Sequence, residues 1–321
     1  MKNMIEAEGL TKNYGELMAV DNINLNVVSG EIFGFLGPNG AGKTTTVRML
    51  TGIIRPTNGK VRIAGFDLLR DPIKAKEMMG VVPELSNAYN ELSAWKNLQL
   101  MAELYGVPAK DAKTRAEELL VRFGLHDRKD HKTKTFSKGM KQRLVIAMSL
   151  MSDPEILFLD EPTSGLDVMS ARMIKEVLQE LNNRGKTIFL TTHYMEEANQ
   201  LCNRVAIINH GKIAAIDAPE KLKARMGGLG RLEVSFMAHV DSSDLRRIPG
   251  VTKVRESGDK IYLCTDEPGM TISHLVDYCQ SGGIEIVTLN TLTPTLEDVF
   301  IKLTGEGRGA EEVVEVVTNG S

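Results

Sequence analysis

The sequence predicts an α/β fold with a largely parallel sheet, followed by a smaller α+β domain, and three observations carry that prediction. Short apolar segments alternate with segments of helical spacing from residue 1 to about 220. The apolar segments read as buried strands, and buried strands separated by helices belong to parallel sheets. After the glycine-rich stretch "ARMGGLG" (224–230) the order changes to "RLEVSF", "KIYLCT" and "IEIVTL", with helical patterns at 271–280 and 295–304.

In chain order the strand candidates are "EIFGFLG" (31–37), "KVRIAG" (60–65), "EILFLD" (155–160), "TIFLTTH" (187–193) and "RVAIINHGKI" (204–213). A further strand ends at "GVVP" (80–83), where Glu84 stands at its mouth. Between them "TTTVRMLTGI", "AWKNLQLMAELYG", "TRAEELLVRFG", "KQRLVIAMSLMS" and "ARMIKEVLQELNNRG" place apolar residues at helical intervals. The expected organisation is a first domain over 1–222, a linker over 223–230, a small α+β domain over 231–304 and a tail over 305–321. The tail holds four glutamates and little that could pack, so it reads as disordered, although "VVEVV" could pair as a strand.

Bulk properties narrow the function classes. The 321 residues carry a net charge of −3, which gives no basis for non-specific nucleic-acid binding. Cys202, Cys264 and Cys279 are scattered without metal-ligand spacing and read as thiols of a reducing compartment. The N-terminus is too polar for a signal peptide, and no run approaches the roughly 18 apolar residues of a membrane helix. If the protein works at a membrane, another chain spans it. Most of the 16 methionines sit beside Leu and Val at helical spacing and read as core filler. His126 and His131 in "HDRKDH" lack a further ligand and read as solvated side chains.

"GPNGAGKTT" (37–45) is the strongest local signal. It satisfies G-x-x-x-x-G-K-[ST] from Gly37 to Thr44, with a strand before it and a helix after it. In such a loop the backbone N–H groups of Gly37, Pro38's neighbours Asn39 and Gly40, and Ala41 to Thr45 curl around phosphate oxygens. Lys43 reaches the β- and γ-phosphates, the Thr44 hydroxyl ligates Mg²⁺, and the helix start adds its positive dipole end. No N-K-x-D guanine-reading motif occurs, which argues against a GTPase.

"ILFLDEPTSGLD" (156–167) is an apolar run ending in two acids. Successive strand side chains point to opposite faces, so Asp160 and Glu161 are expected to have different duties. By order, Asp160 takes the metal and Glu161 acts as general base, with Pro162 stopping the strand. "TIFLTTHYMEEA" repeats the pattern with His193 leaving a parallel strand, where ligands of such sheets collect; there it would contact the γ-phosphate and orient the attacking water. "TFSKGMKQRLVIAMSLM" (135–151) opens a helix with Ser137 as N-cap, and Gly139 leaves room for an anion at the exposed N–H groups.

The phosphate loop, "FSKGM", "LDEPTSGLD" and "TTH" occur in the order that marks the ATP-binding subunits of ABC transporters, and the chain resembles that family from residue 4 to about 220. The resemblance implies an ABC-type phosphate-loop NTPase with a mostly parallel core sheet, an antiparallel β subdomain and a helical subdomain over about 85–150. It implies that Tyr14 stacks on adenine, although by itself Tyr14 reads equally well as a core residue. It makes Ser164 to Asp167 the loop facing a partner subunit. Two positions depart from the family. The signature, usually Leu-Ser-Gly-Gly-Gln, is Phe136-Ser137-Lys138-Gly139-Met140, and the usual glutamine at the end of the strand before the helical subdomain is Glu84. "TPTLEDVFIKLTG" (293–305) is similar to the closing segment of ATPases from ABC-2 type exporters of drugs, antibiotics, sodium and lipids.

From this resemblance the expected function is ATP hydrolysis that energises export through a separate integral-membrane permease, at the cytoplasmic face of the cell membrane. ATP and Mg²⁺ are the expected cofactors, and the expected partners are a second copy of the chain and the permease, with no nucleic acid. One phosphate loop and one signature per chain imply a dimer with each ATP sandwiched between two subunits. A soluble ABC ATPase acting on ribosomes or DNA is the alternative, though the chain lacks the second cassette or long coiled coil usual there. A small-molecule kinase leaves the signature without a role. Glu84 is expected to face the metal: at an effective dielectric of 20, two unit charges about 4 Å apart repel by roughly 4 kcal/mol, so Mg²⁺ must lie between this carboxylate and the γ-phosphate or Glu84 must swing away.

Overall fold

The computed structural model describes residues 2–84, 88–225, 230–292 and 294–305. The centre of the expected linker (226–229) and the tail from 306 onward lie outside these residues. The chain divides into two compact units, Met1–Pro219 and Glu220–Ser321.

Strands of the first unit are β1 (Asn3–Tyr14), β2 (Leu17–Val28), β3 (Ile32–Leu36), β4 (Asn58–Ile63), β5 (Phe66–Asp67), β6 (Met79–Val82), β7 (Ile156–Asp160), β8 (Thr187–Thr192), β9 (Arg204–Asn209) and β10 (Lys212–Asp217). Its helices are α1 (Lys43–Leu50), α2 (Pro72–Glu77), α3 (Ala94–Leu104), α4 (Ala109–Arg122), α5 (Lys138–Ser149), α6 (Val168–Asn183) and α7 (Met195–Leu201). A six-stranded sheet runs in the order β10-β9-β3-β8-β7-β6. All its pairings are parallel except the β9–β10 hairpin. A separate antiparallel sheet has the order β2-β1-β4-β5.

The central strands are buried along their whole length: Phe33, Phe35, Phe158 and Phe189 face a core shared with α1 and with β1, β2 and β4, while α6 and α7 pack on β8 and β3. Phe33, Phe35 and Phe158 each pack on Phe189, with ring centroids 5.6–5.7 Å apart, and fix the spacing of β3, β7 and β8. Helices α3, α4 and α5 pack on one another as a helical group inserted between β6 and β7. The strands β3, β6, β7 and β8 therefore deliver Gly37, Glu84, Asp160 and His193 to one edge, the carboxyl end of the sheet, where ligands of such folds bind.

Two sequence readings change here. "RVAIINHGKI" is two strands: His210 and Gly211 take φ of 46° and 76°, the left-handed values that a two-residue hairpin loop requires, so the chain reverses between β9 and β10. Asp160 and Glu161 are separated by backbone conformation and not by strand pleat. β7 ends at Asp160, and Glu161 has a φ of 50°, which turns it out of the strand direction before Pro162.

The second unit contains α8 (Pro219–Ala224), β11 (Gly230–Phe236), α9 (Ser242–Leu245), β12 (Val251–Ser257), β13 (Lys260–Thr265), α10 (Pro268–Gly282), β14 (Ile286–Leu292) and α11 (Leu296–Thr304). Its antiparallel sheet has the order β12-β13-β11-β14. Leu232, Val234, Leu263 and Leu275 form its core. On the opposite sheet face Glu233 accepts hydrogen bonds from Lys260 (2.8 Å), Tyr262 (3.0 Å) and Asn290 (3.2 Å). These donors, the Lys260 ammonium first, hold its carboxyl below the usual range.

Candidate functional site

The loop between β3 and α1 is built around close approaches. Gly42 precedes the helix with a φ of 106°, and a Cβ there would sit 2.7 Å from the Ala19 carbonyl oxygen, so no other residue fits without strain. Because Gly42 brings no side-chain cap, the first N–H groups of α1 keep their capacity to bind an anion. The Lys43 ammonium is buried and fully engaged. It donates to the carbonyl oxygens of Gly37 (2.7 Å) and Pro38 (3.1 Å) and lies 3.1 Å from Glu161 Oε1.

Glu161 is the hub of the site. Its side chain is 6% exposed, with Lys43 against Oε1 and His193 Nδ1 2.8 Å from Oε2. Its backbone N–H donates to Thr191, to Oγ1 at 3.0 Å and to the carbonyl oxygen at 3.2 Å. The Thr191 hydroxyl in turn donates to Asp160 Oδ1 at 2.6 Å. Thr191 thus holds both acids in register across the β7–β8 pair. Against the carboxylate, His193 Nδ1 acts as donor, which leaves Nε2 to accept or, in the imidazolium, to donate.

A cavity of about 460 Å³ brings Tyr14, Lys43, Thr44, Thr45, Glu84 and Glu161 together over the phosphate loop, with Asn39, Gly40 and Gly42 in its wall. Tyr14 is 48% exposed, so it is not a core tyrosine, and the Lys12 ammonium lies 5.2 Å from its ring centroid. Glu84 is exposed and faces the same cavity as Glu161. Asp160 joins the site through Thr191, and His193 joins it through Glu161.

Ser137 and Gly139 are not among the residues lining this cavity. Ser137 caps α5 as its sequence position suggests, accepting from Met140 N at 3.2 Å. At Gly139 the structure adds a packing reason for glycine. A Cβ there would collide with the Ser170 side chain, so the missing side chain also lets α5 and α6 meet. Asp167 caps α6 through Ser170 N and Oγ, both at 2.8 Å. The Ser170 backbone N–H is the main cause that keeps the Asp167 carboxyl below its usual range. Lys138 reaches across to the Ser164 carbonyl oxygen at 2.9 Å, tying the signature segment to the Ser164–Asp167 loop.

Sequence reasoning does not single out Thr163, Thr191, Thr192 or Glu197, although all four are buried around the acid–histidine pair. The signal for Thr191 and Thr192 is chemical, hydroxyls at the end of an otherwise apolar strand that must have partners, whereas Thr163 in the turn after β7 and Glu197 in α7 carry no such local mark.

This combination of sheet, phosphate loop and strand-end acids defines an ABC-type nucleotide hydrolase. Residues 20–164 match the model of the ABC transporter family, and residues 218–304 match the C-terminal domain of DrrA1-3-like ATP-binding proteins. The chain is 36% identical over 309 residues to the linearmycin resistance ATP-binding protein LnrL of Bacillus subtilis, covering 94% of this chain and 98% of that one. It is 36% identical over 319 residues to the daunorubicin/doxorubicin resistance ATP-binding protein DrrA of Streptomyces peucetius, covering 97% and 96%. Identity to the Nod factor export ATP-binding protein I of Ralstonia nicotianae is also 36%, over 304 residues, covering 94% of each chain. Among solved structures, an ATP-binding subunit of an ABC transporter superposes with a TM-score of 0.65 at 29% identity, covering 70% of this chain and 93% of that one. The ATP-binding cassette MJ0796, a dimer in a post-hydrolysis state with ADP and Pi, superposes with a TM-score of 0.62 at 28% identity, covering 67% and 98%. The chain belongs to the ABC transporter family, in the ABC-2 exporter branch whose ATP-binding subunits carry a DrrA-type C-terminal domain. It is an ATPase.

Proposed function

We propose that this chain energises export as an ATP-sandwich homodimer docked on a separate permease at the cytoplasmic face of the membrane, with Glu161 as general base. The observation that carries this reading is the convergence of Lys43 and His193 on the two oxygens of Glu161, at 3.1 and 2.8 Å. The Lys43 ammonium and a ring N–H of His193 are natural donors to a γ-phosphate. When the phosphate draws Lys43 and His193 to itself, Glu161 gives up both contacts and its carboxylate becomes available to a water proton. The adenine then stacks on the exposed ring of Tyr14, and the loop Gly37–Thr45 cradles the phosphates through its N–H groups. Ser137 and the N–H groups beside Gly139 serve the nucleotide of the opposite subunit, since they lie away from the cavity of their own chain.

The site fits Mg²⁺ by donor chemistry. The Thr44 hydroxyl, the Asp160 carboxylate and Glu84 are hard oxygen donors, and Mg²⁺ takes few protein oxygens beside substrate phosphates and water. Accordingly, no group of three or more His, Cys, Asp or Glu stands ready to cage a metal among the described residues. The bound ion would neutralise phosphate charge, and Thr44, Glu84 and Asp160 are the residues that would hold it directly or through its water shell. Glu84→Gln keeps a side-chain oxygen in that place and is expected to retain ATPase activity within about tenfold, or about 1.4 kcal/mol of barrier. Steady-state hydrolysis checks this, and turnover as low as that of Glu161→Gln would make Glu84 the base.

No helix among the described residues is long and apolar enough to cross a membrane, and in this reading a separate permease carries the cargo. The named relatives serve linearmycin resistance, daunorubicin/doxorubicin resistance or Nod factor export, and export of a drug or of a Nod-factor-like molecule is the reading we carry over to this protein. Affinity purification from detergent-solubilised membranes tests the assignment. A multi-span partner that raises ATP turnover on reconstitution is the expected result, while recovery of ribosomes or nucleic acid would favour the soluble ATPase.

A further inference from the structure

We propose that Glu197 is a positioning residue for hydrolysis, whose carboxylate staples together the two segments that carry Glu161 and His193. This rests on the reading of that pair as the hydrolytic one. Glu197 lies in the first turn of α7 and is only 9% exposed. Its Oε2 accepts from the Thr163 hydroxyl at 2.9 Å and from the Thr192 hydroxyl at 3.1 Å. Thr163 stands two residues after Glu161, and Thr192 immediately precedes His193. One oxygen therefore bridges the chain leaving β7 and the chain leaving β8.

The surrounding bonds show why this bridge has something to hold. Threonines 191 and 192 face opposite sides of β8: Thr191 holds Asp160 and the Glu161 backbone, while Thr192 turns to α7. The Thr192 hydroxyl also accepts from Tyr194 N at 3.0 Å, so it sets the turn that aims His193. On the other side Ser164 N donates to the Glu161 carbonyl oxygen at 3.2 Å, closing the turn that contains Thr163. Glu161 sits at a left-handed φ of 50°, a conformation that persists only where neighbouring contacts over-determine it. Glu196, beside it in the sequence, is exposed and already provides the favourable negative charge of a first helical turn. Glu197 instead points inward, where its carboxylate meets two buried hydroxyls.

A base displaced by about 1 Å loses on the order of 100-fold in rate while the remainder of the substrate still binds. Glu197→Ala in the full-length protein is therefore expected to lower kcat for ATP at least tenfold, with KM changed less than threefold. Glu197→Gln, whose side-chain oxygen still accepts from both hydroxyls, is expected to stay within threefold of wild type. The double variant Thr163→Val/Thr192→Val removes the donors and leaves Glu197 in place. It is expected to show the same loss in kcat at unchanged KM, and it decides by the same thresholds if Glu197→Ala does not fold. Glu161→Gln measured alongside separates the two levels. If Glu161→Gln keeps its turnover, the hydrolytic pair itself is misassigned. If Glu161→Gln is inactive, three outcomes overturn the staple alone: a kcat loss below tenfold, a rise in KM in place of that loss, or a Gln variant as slow as Ala.

Discussion

Glu161→Gln is expected to cut ATP turnover by at least about 100-fold while the protein still binds ATP, since general-base catalysis typically supplies 10²–10⁴. Gln keeps the size of Glu161 and one acceptor oxygen, so it still serves as partner to His193, which is 2.8 Å from Oε2. It loses the proton-accepting capacity and the negative charge that now balances Lys43 at 3.1 Å. Lys43 is then less strongly tied to the protein and more available to phosphate, so ATP affinity should hold or rise. Turnover by phosphate release and affinity by calorimetry check both halves. Near wild-type turnover would remove Glu161 from the role of base.

Lys43→Ala is expected to fail one step earlier. The ammonium is 5% exposed and satisfied by two carbonyl oxygens and one carboxylate, which places it at the floor of the cavity where the phosphates belong. A charge-assisted contact of this kind in a site with little water is worth about 2–3 kcal/mol, or a 30- to 150-fold weaker dissociation constant for ATP. Calorimetric titration with Mg-ATP measures it. An affinity within threefold of wild type would mean that the lysine serves the loop and not the nucleotide.

The parts of the site written as local motifs were legible in the sequence. Gly42 is demanded by its positive φ, a requirement of its own loop, and Lys43 follows it directly, so a nine-residue pattern carries the geometry. The parallel sheet was legible for a similar reason, because burial on both faces leaves an unbroken apolar run in β3, β7 and β8. By contrast β1 and β2, twelve residues each, leave no clear alternation in the sequence. Their pairing shifts register several times, and each irregularity breaks the period of two by which a half-buried strand is read. The turn of Glu161 is invisible for another reason: no glycine marks its left-handed conformation, and the Thr191 contacts that hold it come from a strand thirty residues away. The packing of Gly139 against the Ser170 side chain is invisible too, because helix–helix approach leaves no local pattern. Glu197 is of the same kind, an acid in an acidic helical turn whose partners appear only once β7 and β8 are side by side.

In the proposed mechanism ATP closes two copies of the chain on each other. The measurement is the solution mass of purified Glu161→Gln by light scattering after size exclusion, with Mg-ATP and then with Mg-ADP. Because this variant holds ATP without consuming it, the expected mass with Mg-ATP is twice the 35.3 kDa of one chain, and the mass with Mg-ADP is that of one chain. A variant that binds Mg-ATP yet remains at the mass of one chain would contradict the sandwich, and with it the assignment of Ser137 and Gly139 to the nucleotide of a partner.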